Sequence, residues 1–174
     1  MCIRDSLRAL RLESLFYREA AEDQSLDRES TIVIILVALI ASLGELTGKS
    51  GSWLAYLGTV TNSILFGWLL WAIVAWFVGR NILDGEGSLG GMLRVLAYAS
   101  IPRLLGVFGG LPLIGWLFGL VGGILSLIAG IIAIREGMKL DTGAAIITAL
   151  LGGLIYIAFS VLIGMLSLPF TLFG

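Results

Sequence analysis

Apolar residues run through this chain in long, nearly unbroken stretches, and polar residues fall in short clusters between them. The first stretch, Thr31 to Gly44, reads TIVIILVALIASLG, with Glu45 close behind. The second covers Thr59–Val78, and the third Leu89–Phe108 with Pro102 inside it. The fourth, Leu113–Ile134, stops at Arg135-Glu136, and the fifth runs from Thr142 to about Leu166. Runs of this length predict helices rather than strands, and most approach the ~20 residues that a hydrocarbon layer of about 30 Å requires. The first run is short on that measure and reaches the far interface only if Glu45 sits there. Pro102 removes a backbone donor and predicts a kinked or broken third helix.

The polar intervals complete the outline. EDQSLDRES (22–30) is a linker in which Asp27 or Ser30 can cap the first span, TGKSGS is a short loop, and NILDGEGS ends on Ser88, an N-cap for the third helix. Gly109-Gly110-Leu111-Pro112 predicts a tight turn. Ahead of the spans, LRALRLESLFYREA (7–20) mixes Leu7, Leu10, Leu15 and Phe16 with Arg8, Arg11 and Arg18. That mixture predicts an amphipathic helix lying in the membrane interface, with a solvated helix as the plainer alternative. The opening MCIRDS resembles adapter read-through, so residues 1–6 carry no weight, and no signal peptide is expected. The expected organisation is a cytoplasmic N-terminal segment over 7–30 and a five-span membrane domain over 31–168. The fold class is all-α, a multi-pass transmembrane helical bundle.

Composition agrees. Of 174 residues 58% are hydrophobic and 13% charged, with mean hydropathy +1.02; soluble domains carry about 25% charge. A net charge of -1 offers no basic face to nucleic acid. There is no histidine, and the single cysteine is Cys2, which removes the commonest general base and metal ligand and any disulfide within the chain. No catalytic residue, cofactor or metal is expected. With five spans and the N-terminus inside, the inner segments hold Arg4, Arg8, Arg11, Arg18, Arg28, Arg80, Arg94, Arg135 and Lys139, and the outer ones only Lys49. This bias predicts a cytoplasmic N-terminus and an external C-terminus.

Two motifs imitate nucleotide sites. Gly44 to Ser50 resembles a phosphate loop but is one residue short between its glycines, and Gly85-Glu86-Gly87-Ser88-Leu89-Gly90 matches GxGxxG without a βαβ unit around it. The second is better read as a flexible loop with a helix cap. More informative are Gly115, Gly119 and Gly123, recurring every four residues, a second row of Gly122, Ser126 and Gly130, and Ala145, Ala149 and Gly153 in the fifth span. Small residues let helix backbones approach closely in lipid, within one copy or between copies in a homo-oligomer. Arg94 and Tyr98 are one turn apart and share a face. Arg94 is expected to snorkel to the inner headgroups. Arg103, nine residues on and about 13 Å deeper at 1.5 Å per residue, either lies within the layer or starts a re-oriented third span at the headgroups. Glu136 is its nearest expected partner.

Several segments together resemble the Yip domain family of Ypt/Rab-interacting-protein-like membrane proteins, over about Leu7 to Leu166. They are Gly85-Glu86-Gly87-Ser88, Leu96-Ala97-Tyr98-Ala99-Ser100-Ile101-Pro102, Ala133-Ile134-Arg135-Glu136, and Leu15-Phe16-Tyr17-Arg18. The resemblance implies five spans, a cytoplasmic N-terminus, and a compact, prokaryotic-type member. It also implies a non-enzymatic protein that organises membrane or binds a protein or lipid partner at its cytoplasmic face, with Arg94, Tyr98, Pro102, Arg103, Arg135 and Glu136 as the candidate residues. A small transporter or channel is the alternative, motivated by the broken third helix around Pro102 and Arg103. The membrane is the cytoplasmic one in a prokaryote and endoplasmic reticulum or Golgi in a eukaryote.

Overall fold

The computed structural model describes residues 3–47, 52–111 and 113–172, so Lys49 and Pro112 lie outside the described residues. Every element in it is helical: α1 (Ile3–Leu10), α2 (Ser14–Glu22), α3 (Asp27–Ala41), α4 (Gly44–Thr47), α5 (Trp53–Ile64), α6 (Trp71–Asn81), α7 (Leu89–Ala99), α8 (Gly115–Met138) and α9 (Thr142–Leu172). A π-helical stretch, Leu65–Leu70, fuses α5 and α6 into one rod, and a 3₁₀ stretch, Ile101–Gly110, follows α7.

Among the described residues, two helices are long and apolar enough to cross a membrane: Trp53–Asn81, 29 residues, and α8, 24 residues. A third crossing exists if α7 and Ile101–Gly109, which meet at 41°, count as one broken span. The proline accounts for the break. Pro102 sits at the start of the 3₁₀ stretch, where its missing N–H is no loss, and α7 ends just before it. α3 has 15 residues, three of them Asp27, Arg28 and Glu29, so it is shorter than the ~20 residues of a full span. The described apolar part of α9 is Thr142–Ile155. Among the described residues, length and composition therefore identify two or three crossings.

The N-terminal segment departs from its expected form. One helix over 7–20 is replaced by two, because Leu12 adopts a left-handed conformation (φ 57°) that turns the chain between α1 and α2. α2 also packs against protein. Phe16, Tyr17 and Ala20 are buried in the main core with Met92, Val95, Tyr98, Ala133 and Ile134 of α7 and α8. The apolar side is divided: Phe16 faces protein, whereas Leu7, Leu10 and Leu15 are exposed.

α7 is the hub of this layer, buried at almost every position from Gly91 to Ala99. Ser88 caps it, accepting a bond from the Gly91 N–H at 3.0 Å. The GxGxxG loop before it is held close rather than flexible. Glu86 N–H donates to the Met138 carbonyl at 3.1 Å, and a Cβ at Gly87 would overlap the Gly137 carbonyl and the Met138 sulfur. These glycines allow close backbone approach, which is why the motif is glycine-rich without a phosphate.

In α8 the sequence offers two glycine rows and the fold uses mainly one. Gly122, Ser126, Ala129, Gly130, Ala133 and Gly137 are buried, whereas a Cβ at Gly119 or Gly123 would meet nothing within 4 Å. Gly115 is buried against Gly109 and Phe108. On α9, Ala145 and Ala149 are buried and Gly153 faces open space. The tightest use of small residues is around Trp71, whose indole is wedged between α8 and α9. A Cβ at Gly130 would lie 2.5 Å from its Cη2, and one at Gly152 would overlap its Cδ1 and Nε1. Gly130→Val is therefore expected to lower stability by about 1–3 kcal/mol through overpacking. Trp71→Leu in the same chain should recover part of that loss, measured as the unfolding midpoint in mixed micelles. Additive losses would show that the indole does not fill this space.

Candidate functional site

The six candidate residues separate into a group around α2 and a group beyond the bend. Arg94, Tyr98, Arg135 and Glu136 gather around α2. Pro102 and Arg103 lie beyond the bend, and the carbonyl of Pro102 and the Cα of Arg103 lie beside Gly122 of α8.

Arg94 does not snorkel. Its side chain is 5% exposed. Its Nε donates to the Ala20 carbonyl at 2.9 Å, its Nη2 to the Ala21 carbonyl at 2.6 Å, and its Nη1 to Asp27 Oδ1. Ala20 and Ala21 are in the last turn of α2, where carbonyls lack helical partners and the helix dipole presents negative charge. Arg94 is thus a C-terminal cap supplied from another helix, and through Asp27 it also holds the start of α3. Tyr98, on the same face, packs edge-on against Phe16 at 5.0 Å between ring centres. Tyr17 completes the clasp. Its hydroxyl donates to the Ala9 carbonyl at 3.1 Å, and burial pushes its pKa above the ordinary phenol range.

Glu136 is bonded by two arginines. Arg18 donates to Oε2 through Nε at 3.0 Å and Nη2 at 2.8 Å. Arg135 donates to Oε1 through Nε at 3.1 Å and Nη2 at 2.8 Å. The carboxylate is 8% exposed, against 58% for Arg18 and 34% for Arg135. A buried anion thus sits beneath two cations that reach water. The Arg103–Glu136 pair expected from the sequence does not form. Arg103 starts beside Gly122, 14 residues up α8 from Glu136 (136 − 122), or about 21 Å at 1.5 Å per residue.

Around Glu136 the surface is polar. Arg18, Glu22, Arg135, Glu136, Lys139 and Leu140 line a cavity of about 500 Å³. Lys139 Nζ lies 3.4 Å from Glu22 Oε1 and 3.8 Å from Glu86 Oε2, tying α2 and the Gly85–Ser88 loop to the end of α8. Lys139 itself is left-handed (φ 54°) and closes α8 by donating its N–H to the Arg135 carbonyl. The sequence reading left out Arg18, Asp27 and Lys139 as site residues. Their signal is weak, because charged residues near a membrane helix are ordinarily solvated.

Arg94→Leu leaves the Ala20 and Ala21 carbonyls and Asp27 without their donor, and is expected to cost about 3 kcal/mol or more. Arg94→Lys should recover little, since an ammonium cannot span the three acceptors as a planar fork does. Protease protection of α1–α2 and the unfolding midpoint report both. Full stability in Arg94→Lys would show that charge alone, without the fork, holds α2.

Comparison with known proteins bears on the same residues. The family model described as the Yip1 domain matches residues 12–162, a range that includes Arg18, Arg94, Pro102, Arg135 and Glu136. No curated protein and no solved structure matches the chain. The match takes in α2, the capped α7, the bend after it, all of α8 and most of the described part of α9, and the chain belongs to the Yip1 domain family of membrane proteins.

Proposed function

We propose that this protein is a non-enzymatic membrane component that holds a protein or lipid partner at its cytoplasmic face. The observation that carries the reading is the polar cavity around Glu136, built jointly by the N-terminal α2 and the end of α8. Arg18, Arg135 and Lys139 present their cationic ends there, with exposures of 58%, 34% and 52%. Both oxygens of Glu136 are engaged by guanidinium groups, which suits an anion that positions cations better than a general base. The apolar outer surface, with Leu120, Ile124, Leu127 and Ile128 of α8 and Leu36 and Ile40 of α3 all more than a third exposed, suits a lipid surrounding.

The orientation belongs to the same proposal. The N-terminus and the cationic face are cytoplasmic, the domain over 31–168 crosses five times, and the C-terminus is external. The positive-inside bias of the cationic residues supports this. The small-residue faces of α8 left open at Gly119 and Gly123 suit contact between copies.

Two measurements test the reading. A photoreactive residue at Lys139, activated in native membranes, is expected to give a recurrent protein or lipid adduct that the same probe at Leu120 does not give. Background labelling alone at Lys139 would remove the partner-binding role. A C-terminal reporter is expected to be active only outside; a cytoplasmic signal would overturn the five-span orientation.

A further inference from the structure

The corner between α1 and α2 leaves leucines uncovered. Leu7, Leu10 and Leu15 are 49%, 47% and 67% exposed. The packing of α1 fixes that exposure. Ala9, between the two α1 leucines, is 1% exposed, and its carbonyl accepts the Tyr17 hydroxyl, so α1 is held with Ala9 inward. At 3.6 residues per turn, the opposite face carries Leu7, Leu10 and Arg11. Arg11 is exposed and forms no ion pair among the described residues. Arg8, by contrast, is taken by Glu13 and Glu19, each at 3.0 Å.

Polarity then changes along α2. Its outward positions are Leu15, Arg18, Glu19 and Glu22, so the exposed face is apolar at the start of the helix and charged at its end. The direction of α2 relates the two ends to the rest of the fold. The Ala20 and Ala21 carbonyls, at its end, meet Arg94, whereas Phe16, near its start, meets Tyr98. Arg18 and Glu22 thus reach the cavity around Glu136, and the leucines lie toward the bend at Pro102. Five residues past Tyr98 (103 − 98), Arg103 lies against Gly67. Gly67 is 14 residues from each end of the apolar Trp53–Asn81 rod (67 − 53 and 81 − 67). Five residues at the 3₁₀ rise of about 2.0 Å cover about 10 Å. Half of a hydrocarbon layer is about 15 Å.

We propose that this corner docks into the phospholipid leaflet beside α2, with Leu7, Leu10 and Leu15 at the boundary of headgroups and acyl chains and Arg11 on a lipid phosphate. A rod centred in the layer sets Tyr98, and the leucines with it, near the edge of the hydrocarbon. That is the level an amphipathic helix occupies, and the change from Leu15 to Arg18, Glu19 and Glu22 runs from lipid toward water. Lipid fits this surface better than a second copy of the chain. Three part-exposed leucines fall well short of the ~800 Å² per partner that a stable protein interface buries. The bilayer, by contrast, already surrounds the crossing helices, so docking costs the corner little further translational freedom. The contact involves α1 and the first turn of α2 rather than the whole of 7–20, and it is separate from the partner-binding reading of the charged face.

The test uses the full chain in nanodiscs of phosphatidylcholine and phosphatidylglycerol. Cys2→Ser removes the single native thiol, and a nitroxide is placed through Leu10→Cys, Leu15→Cys or, as the control, Glu22→Cys. Collision with oxygen, which concentrates in lipid, is compared with collision with a water-soluble nickel chelate. Oxygen is expected to dominate several-fold at positions 10 and 15, and the chelate at 22, whose glutamate is 66% exposed. Arg11→Glu should lower the oxygen preference at position 15 roughly twofold or more, as for a lost phosphate contact beside a retained apolar one. The unfolding midpoint confirms that each labelled variant is folded. Chelate access at position 10 equal to that at 22 would show a solvated corner and overturn the docking. Low access to both reagents at 10 and 15 would mean that protein covers the leucines, and would overturn the lipid assignment. An unchanged preference in Arg11→Glu would overturn the role of Arg11.

Discussion

A single buried guanidinium holds the inner layer together. Arg94 meets the last carbonyls of α2 and the first turn of α3 from its place in the middle of α7. Without it, α2 would end in unpaired carbonyls pressed against α7, where Gly91 already brings the backbone so near that a Cβ would overlap the α2 carbonyl region. The capping also explains the position of Arg18. Only with α2 held across α7 and α8 does Arg18 reach Glu136, 118 residues away in sequence. The polar cavity around Glu136 is thus a consequence of the cap. A cation that lipid headgroups would have solvated is used instead to fasten an N-terminal helix to the membrane domain.

Deeper in the fold the organising constraint changes from charge to volume. Helices in lipid gain little from excluding water, so their association depends on how closely surfaces fit. Gly130 and Gly152 leave a slot for the Trp71 indole, and Gly122 admits the Pro102 carbonyl at the bend. The bend in turn frees the 3₁₀ stretch to pack along α8. It carries Arg103 to the π-helical middle of the Trp53–Asn81 rod, against Gly67. Large and small side chains are matched across three helices.

The sequence was legible where the physics is local. Apolar run length marked the helices, Ser88 its cap, Pro102 the break, and the spacing of Arg94 and Tyr98 their common face. It was not legible where the partner is backbone or distant. The carbonyls that Arg94 meets belong to alanines, which carry no mark of being acceptors. The left-handed turn at Leu12 has no glycine or asparagine to announce it, so the N-terminal segment read as one helix. Periodicity of four described both glycine rows of α8 equally well, and only the 3₁₀ stretch, which covers Gly122, and Trp71, which covers Gly130, decide that these two are buried while Gly119 and Gly123 are not. Glu136 was assigned to Arg103 because a sequence gives depth along one helix but not the facing of another.

The two arginines on either side of the bend show how one residue type serves opposite ends of a membrane helix pair. Arg94 lies before Pro102, within reach of α2 carbonyls and an exposed carboxylate, so its charge is met by protein dipoles and its burial is compensated. Arg103 lies after it, with its guanidinium against Gly67 in the middle of the Trp53–Asn81 rod, and it too takes part in interactions within the fold. The fold therefore separates two constraints along α8: pairing of charge near Glu136, and close fit of neighbours against Gly122 and Gly130.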